Sequence, residues 1–124
     1  MQDPPTVDEL LESTSTFLRE IAVPQLSGHA AFHARVAANA LELVRRELTL
    51  GTQSAHAEQV RLESLLNTHG SLTELNRLLC QRLAAGAIDL DTPGVAEHLW
   101  ATTLAKLAID QPSYAPYRRT LGLK

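Results

Sequence analysis

Apolar residues recur at three- and four-residue steps along the first part of the chain, which is the spacing of one face of an α-helix. The recurring positions are Val7, Leu10, Leu11, Phe17, Leu18 and Ile21. They predict a helix over about residues 6 to 23 that begins near Thr6 or Asp8. Pro24 lacks a backbone donor and opens the stretch "PQLSG", which ends at Gly28, so a turn is predicted there.

The middle of the chain carries two further helical patterns. One covers about residues 29 to 49 and ends at Gly51, and the other covers about residues 54 to 68 and stops before Gly70. With about 100° between successive residues, one arc of the earlier helix is predicted to face the core. This arc carries His29, Phe32, His33, Val36, Ala40, Leu43 and Val44. A row of polar residues, here named the polar ridge, borders the arc and consists of Arg35, Asn39, Glu42 and Arg46.

A fourth helix is predicted from Ser71 to Gly86. Ser71 and Glu74 have the spacing of a capping box, in which each side chain accepts the other residue's backbone N–H. Its predicted core row contains Leu72, Leu75, Leu78, Leu79 and Leu83. The following stretch "GAIDLDT" predicts a short loop whose Ile88 and Leu90 fold back on the core.

The fifth predicted helix begins at Thr92, with Pro93 at the first helical position, and continues to Asp110. Apolar residues recur along it at Ala96, Leu99, Trp100, Leu104 and Leu107. Pro112 stops it, and the remaining tail "PSYAPYRRTLGLK" contains two prolines. The tail is therefore predicted to be extended and partly docked rather than helical.

Composition favours an all-α fold. Hydrophobic residues make up 44% of the chain but aromatic residues only 4%, which shifts the core towards leucine and alanine in closely packed helices. A chain of 124 residues is long enough to bury a core without disulfides or a structural metal. The prediction is a single-domain helical bundle over residues 1–124, with about five helices and an extended C-terminal tail.

Charge and cysteine usage limit the classes of partner. A net charge of −3 provides no basic field for nucleic acid or for anionic lipid. A single cysteine, Cys80, cannot form an internal disulfide, and its leucine-rich surroundings predict a small buried hydrophobe. The polar start resembles no secretory signal, and no apolar run has the roughly 20 residues of a membrane span. A cytoplasmic protein without membrane or nucleic-acid partners is expected.

The histidines of "HAAFH" raise the question of a metal site. His29 and His33 are four residues apart, so they project from one helix face and could chelate a metal together. The motif has no glutamate between its histidines, and His56, His69, His98 and Glu97 supply no further ligand at a recognisable spacing. The favoured interpretation is structural: His29 borders the helix start, and His33 is buried with a hydrogen bond. No metal and no cofactor are predicted.

The polar ridge is the stronger candidate for a ligand site. The chain lacks the nucleophile, phosphate-loop and calcium-loop motifs of familiar enzymes, so no catalytic residue is predicted. If the second and fifth helices pack together, His33, Arg35 and Asn39 could meet Lys106 and Asp110. Such a cluster either fixes the register of two helices or binds a carboxylate or phosphate. Both interpretations are open from the sequence.

Three stretches resemble a known family: "DPPTVDELLESTSTFLRE", "FHARVAANALELVRREL" and "LWATTLAKLAIDQPSY". The family consists of small bacterial all-helical proteins of unknown function, and the resemblance spans nearly the whole chain. The matching positions include Phe32, His33, Arg35, Asn39, Lys106, Leu107, Asp110 and Pro112. The resemblance implies genes that often neighbour acyl-CoA dehydrogenases and kinases of the aminoglycoside-phosphotransferase type.

Two functions follow as hypotheses. The first is a non-catalytic accessory or protein-interaction module, whose partner would be an acyl-CoA dehydrogenase or a phosphotransferase-like enzyme, with a homo-oligomer as a further alternative. The second is a protein that binds a small anionic ligand, or an unrecognised enzyme, through His33, Arg35, Asn39, Lys106 and Asp110. The missing enzyme motifs and the resemblance favour the first.

Overall fold

The computed structural model describes Asp3 to Leu123, and every regular element in this range is helical. In order they are α1 (Val7–Phe17), a π-helical segment (Leu18–Ala22), α2 (Val23–Gln25), α3 (Gly28–Leu66), α4 (Leu72–Ala84), α5 (Val95–Asp110) and α6 (Ala115–Thr120). Five of these α-helices within the described range are longer than three residues. The predicted all-α class with about five helices is confirmed. No helix between Asp3 and Leu123 combines the length and the apolar character that a membrane span needs.

The chain divides into two compact units, Met1–Thr49 and Leu50–Lys124. The predicted helix end at Gly51 is wrong, because α3 continues through this residue to Leu66. A glycine inside a helix costs only about 1 kcal/mol relative to alanine, and the flanking residues offset that cost. The single domain over residues 1–124 stays a prediction.

Unit 1 contains an antiparallel helical hairpin. Asp8 of α1 accepts two hydrogen bonds from Arg45 of α3, at 2.9 and 3.0 Å, and Arg19 Nη2 donates to Asn39 Oδ1 at 2.8 Å. Asp8, near the start of α1, pairs with Arg45, whereas the later Arg19 pairs with Asn39, which is earlier in α3. The two helices therefore run in opposite directions. The Arg45 guanidinium lowers the pKa of Asp8, and the carboxylate raises the pKa of Arg45 in return.

Small residues form the buried face of this hairpin. Ser15 lies on α1 two turns after Asp8, and Ala38 lies on α3 two turns before Arg45. Ser15 is 1% exposed and Ala38 is completely buried, and Ala31, a further heptad along α3, is also buried. Small side chains let helix axes approach closely. We call Ser15, Ala31 and Ala38 the small-residue seam.

The seam corrects the predicted orientation of α3. Phe32, Val36, Leu43 and Val44 were expected to face the core, but all four are exposed, with Phe32 at 54%. His29 and His33 are exposed as well, so the predicted burial of His33 is wrong. The reason is that the seam occupies a different face of α3, where alanines are buried and the bulky apolar side chains stay outside.

The core of unit 2 is a leucine cluster between the end of α3 and α4. Leu62, Leu66, Leu75 and Leu79 are buried, and they are surrounded by Leu65, Leu72, Leu78, Leu83 and Ile88. The predicted capping box is confirmed, since Glu74 N–H donates to Ser71 Oγ at 3.3 Å and Ser71 N–H donates to Glu74 Oε2 at 2.9 Å. Ile88 packs on the core as predicted.

Two side chains in this part of unit 2 depart from the prediction. Leu90 is exposed rather than folded back on the core, because its loop is fixed instead by hydrogen bonds to Asp89. Cys80 is exposed rather than buried. The leucines at 75 and 79 mark the inner face of α4, and a residue one position after Leu79 is turned about 100° away from it.

Polar side chains link α3 to the following segments. Arg82 Nη1 donates to the carbonyl of Leu66 at 3.2 Å, and Asn76 Nδ2 donates to Glu58 Oε1 at 2.8 Å. A cation at the last carbonyls of a helix also interacts favourably with the helix dipole. These bonds fix the end of α3, and therefore the side chains that precede it, relative to α4.

The chain enters and leaves α5 differently from the prediction. The N-cap is Gly94, at φ 90°, and not Thr92, whose hydroxyl bonds to Asp89 instead. The tail is not extended throughout, since Ala115–Thr120 form α6. Pro116 lies in the first turn of α6, where a proline is tolerated because its missing N–H would have no helical acceptor.

Candidate functional site

The five residues predicted as a ligand site are divided between the two units. His33, Arg35 and Asn39 lie on α3 in unit 1, whereas Lys106 and Asp110 lie on α5 in unit 2, and all five are exposed. Their joint site, including the proposed contact between Arg35 and Asp110, stays a prediction.

Within unit 1, these residues have local partners. Asn39 accepts the hydrogen bond from Arg19, and the His33 ring has its centroid 5.4 Å from that of Phe32 in an edge-on arrangement. The rings of His29 and His33 are stacked, with centroids 6.4 Å apart. Among the residues that the structure describes, no three histidine, cysteine or acidic side chains are grouped closely enough to hold a metal ion.

A surface cavity of about 520 Å³, open to solvent, lies in unit 2 between the end of α3 and the start of α5. We call it the Arg61 cavity. Its lining residues are Val60, Arg61, Ser64 and Leu65 of α3, and Pro93, Gly94, Glu97 and His98 at the start of α5. A cavity of this size with a few polar groups falls in the usual range for small-ligand sites.

Arg61 is the main positive charge of this cavity. Its Nη2 donates to Thr102 Oγ1 at 3.4 Å, a long hydrogen bond, and its Nε is buried without a hydrogen-bond partner among residues 3–123. No carboxylate in that range lies within salt-bridge distance of Arg61. A guanidinium presents five donors, so most of its capacity to bind an anion is unused.

His98 is the second unusual group. It is only 3% exposed, and its Nδ1 is buried without a hydrogen-bond partner in the described part of the chain. Burial lowers the pKa of His98, the Arg61 charge lowers it further, and Glu58 opposes the shift. The imidazole is therefore neutral near pH 7 and can either accept or donate one hydrogen bond at each nitrogen.

The first turn of α5 completes the site. Gly94 caps this 16-residue helix without a side-chain hydrogen bond to its first N–H groups. The Val95 N–H at this end donates to the Thr92 carbonyl at 3.1 Å, and the helix dipole favours an anion near the remaining N–H groups of the first turn. A side chain at Gly94 would require an unfavourable backbone conformation, and its Cβ would lie 3.3 Å from Leu65 Cδ1.

Together these groups give the cavity a partly polar lining. Arg61 and His98 line one space beside the first turn of α5, and Glu97 contributes an exposed carboxylate to the lining. No hydroxyl or thiol of the lining is paired with a base in the way that nucleophilic catalysis requires: Ser64 is exposed, and no hydrogen bond joins it to His98.

Sequence reasoning did not identify Arg61, and it treated His98 only as a possible metal ligand. One signal was present: Arg61 precedes Leu65 by one helical turn, so a charge shares a face with a residue of the leucine cluster. The neighbouring His98 could not be inferred, because its distance from Arg61 depends on how α5 packs on α3.

The chain matches the model of a known protein family. The family is described as a domain of unknown function (DUF6285), and its model matches residues 24–114. The match covers most of the chain, so the protein belongs to this family, as the resemblance indicated. No curated protein and no solved structure matches the chain.

Proposed function

We propose that this member of the DUF6285 family binds a small anionic ligand in the Arg61 cavity. The observation that carries the proposal is that Arg61, in the cavity lining, makes one long hydrogen bond and has no carboxylate partner among residues 3–123. Arg61 Nε and His98 Nδ1 are also buried without a partner in that range, so neither side chain is fully satisfied by the fold. A buried donor without a partner costs about 1–3 kcal/mol, so such groups are rare unless a ligand or water completes them.

The chemistry favours a carboxylate or a phosphate. Guanidinium groups bind both through paired hydrogen bonds, and the start of α5 adds backbone donors of the kind that bind phosphate. The overall net charge of −3 gives no general attraction for anions. Binding would therefore depend on the local donors rather than on the field of the whole protein.

Titration of the ¹⁵N-labelled protein with acetate and with inorganic phosphate tests the proposal. At constant ionic strength, saturable shifts are expected at the amides of Gly94 to His98, and Arg61→Met should abolish them. Arg77→Met is the matched control, because Arg77 is an exposed arginine of α4 outside the cavity lining. Shifts that equal those caused by chloride, or that persist in Arg61→Met, would contradict anion binding at this site.

A second candidate function is self-association through unit 1. Phe32, Val36 and Leu43 share one face of α3, and all three are exposed. In a two-fold dimer the same patch of each subunit meets its copy, and an exposed apolar row on a helix can pack in this way. The proposed occupant is therefore a second copy of the chain, and an accessory role beside an acyl-CoA dehydrogenase or a phosphotransferase-like enzyme stays a prediction.

Sedimentation velocity over a range of protein concentrations tests self-association. A dimer that is lost in the double variant Phe32→Ser, Val36→Ser supports it, since these changes remove apolar area from exposed positions and leave the buried seam intact. Thr49→Ala is a control at an exposed position of the same helix. A monomer at every concentration would exclude this second function.

A further inference from the structure

A second cavity adjoins Arg61 in unit 2. It measures about 280 Å³ and is lined by Leu50, Gln53, Ser54 and Ala57 of α3, by Ala105 and Ala108 of α5, and by Arg61 itself. We call it the alanine cavity. Among residues 3–123, Arg61 is the charged residue of this lining, and four of the others are purely aliphatic. Its lining is thus mainly apolar, in contrast to the Arg61 cavity.

The two cavities follow the same pair of helices. The alanine cavity is lined by residues between 50 and 61 of α3 and by residues 105 and 108 of α5. The Arg61 cavity is lined by residues between 60 and 65 of α3 and by residues between 93 and 98 at the start of α5. The two sets overlap on α3 at Arg61, while on α5 they are separated by residues 99 to 104, where Thr102 accepts the long hydrogen bond from Arg61. The part of α3 from Leu50 to Arg61 is roughly 16 Å long, at about 1.5 Å per residue.

Small side chains leave the alanine cavity open. Ala57, Ala105 and Ala108 lie on two facing helices, and at each position a leucine would project into the space that the cavity occupies. An open apolar cavity that ends at an incompletely bonded guanidinium has two chemical parts. The apolar part favours burial of hydrocarbon, and the guanidinium favours a negatively charged group.

We infer that the ligand is an amphipathic molecule, with one anionic head group in the Arg61 cavity and an unbranched apolar chain in the alanine cavity. This inference rests on the proposed anion site, because Arg61 must hold the head group before the chain can follow α3. The ligand class is that of aliphatic monocarboxylates. The shared guanidinium is what links the two cavities into one site.

Calorimetric titration with straight-chain carboxylates from acetate to decanoate, each kept below its micelle concentration, tests the inference. Complete burial of one methylene is worth a factor of about four in affinity, and partial burial in an open cavity corresponds to about twofold. The dissociation constant is therefore expected to fall by about two- to fourfold for each added methylene, until the alanine cavity is filled. Octylammonium, which has the same kind of chain and the opposite charge, should not bind.

Substitution of one alanine separates the two cavities. Ala57→Leu should lower octanoate affinity by at least tenfold and leave acetate affinity unchanged, since it fills only the alanine cavity. Leucine is a good helix former and Ala57 is exposed, so the helix is retained. Ala105→Leu provides a second variant on the other helix, and Ala84→Leu, at an exposed position outside both cavities, is the matched control.

The outcomes distinguish the two proposals. If acetate binds through Arg61 but affinity does not rise with chain length, or if Ala57→Leu and Ala105→Leu bind octanoate normally, the amphipathic ligand is excluded and anion binding stands. If octylammonium binds as well as octanoate, the head-group assignment is wrong. If no carboxylate or phosphate binds, the proposed function fails and this inference fails with it.

Discussion

Replacement of Arg61 by methionine should stabilise the free protein while it removes anion binding. The Nε of Arg61 is buried without a hydrogen-bond partner in the described residues, and the Nη2 of the same guanidinium makes a long bond of 3.4 Å to Thr102. An unsatisfied buried donor costs about 1–3 kcal/mol, whereas methionine fills a similar volume without a polar group. After loss of the Thr102 bond, a net gain of about 1 kcal/mol in the free energy of unfolding is expected.

Two other arginines of unit 2 calibrate this result. Arg82 donates to the Leu66 carbonyl at 3.2 Å, so Arg82→Met should destabilise the protein by roughly 1–3 kcal/mol. Arg77 is exposed, so Arg77→Met should change stability by less than about 0.5 kcal/mol. The three substitutions are chemically identical, and their different signs would follow only from the local bonding of each guanidinium.

Urea denaturation in a buffer without phosphate or carboxylate is the appropriate assay, because any bound anion would stabilise the wild type by mass action. Addition of the ligand should then stabilise the wild type and leave Arg61→Met unchanged. A loss of more than about 1 kcal/mol for Arg61→Met in the absence of anions would refute the reasoning. It would mean that the guanidinium stabilises the fold and is not kept for a ligand.

Three further results are expected. Leu62 is completely buried, so Leu62→Ala should cost about 2–5 kcal/mol in urea melts, whereas Leu90→Ala, at a position 65% exposed, should cost less than about 0.5 kcal/mol; equal losses would contradict the assigned core. Gly94→Ala should destabilise more than Gly86→Ala, because both positions have positive φ but only Gly94 would place its Cβ 3.3 Å from Leu65. The lowered pKa of His98 means that the folded state binds fewer protons than the unfolded state, so stability is lost as the pH falls through the unfolded pKa of 6.5. His98→Gln should reduce this loss, which is checked by comparing the free energy of unfolding at about pH 7.5 and 5.5.

The parts of the fold that depend on neighbouring residues were predictable from the sequence. The Ser71–Glu74 capping box needs only a three-residue spacing, and it forms as expected. Gly51 and Pro116 show the limit of such signals. A glycine ends a helix only where the chain leaves the helical conformation, and a proline is compatible with a helix in its first turn, so neither residue determines a boundary alone.

The orientation of α3 and the candidate site were not predictable in the same way. The apolar arc around Phe32 and the row of Ala31 and Ala38 lie on different faces of one helix. The hydrophobic pattern predicts burial of the bulkier arc, but in the structure the face with the alanines is buried. Arg61 and His98 are 37 positions apart in the sequence. Their relation depends on tertiary packing between α3 and α5, which periodicity does not encode.

The small-residue seam also restricts which substitutions the hairpin of unit 1 can tolerate. Positions 31 and 38 lie inside the region matched by the family, and because both are buried, a larger side chain at either one would displace the elements packed around it. Relatives that keep this hairpin should therefore carry only glycine, alanine or serine there, while position 32 varies freely unless it serves an interface. An alignment of family sequences would thus distinguish positions kept small for helix contact from positions conserved for binding.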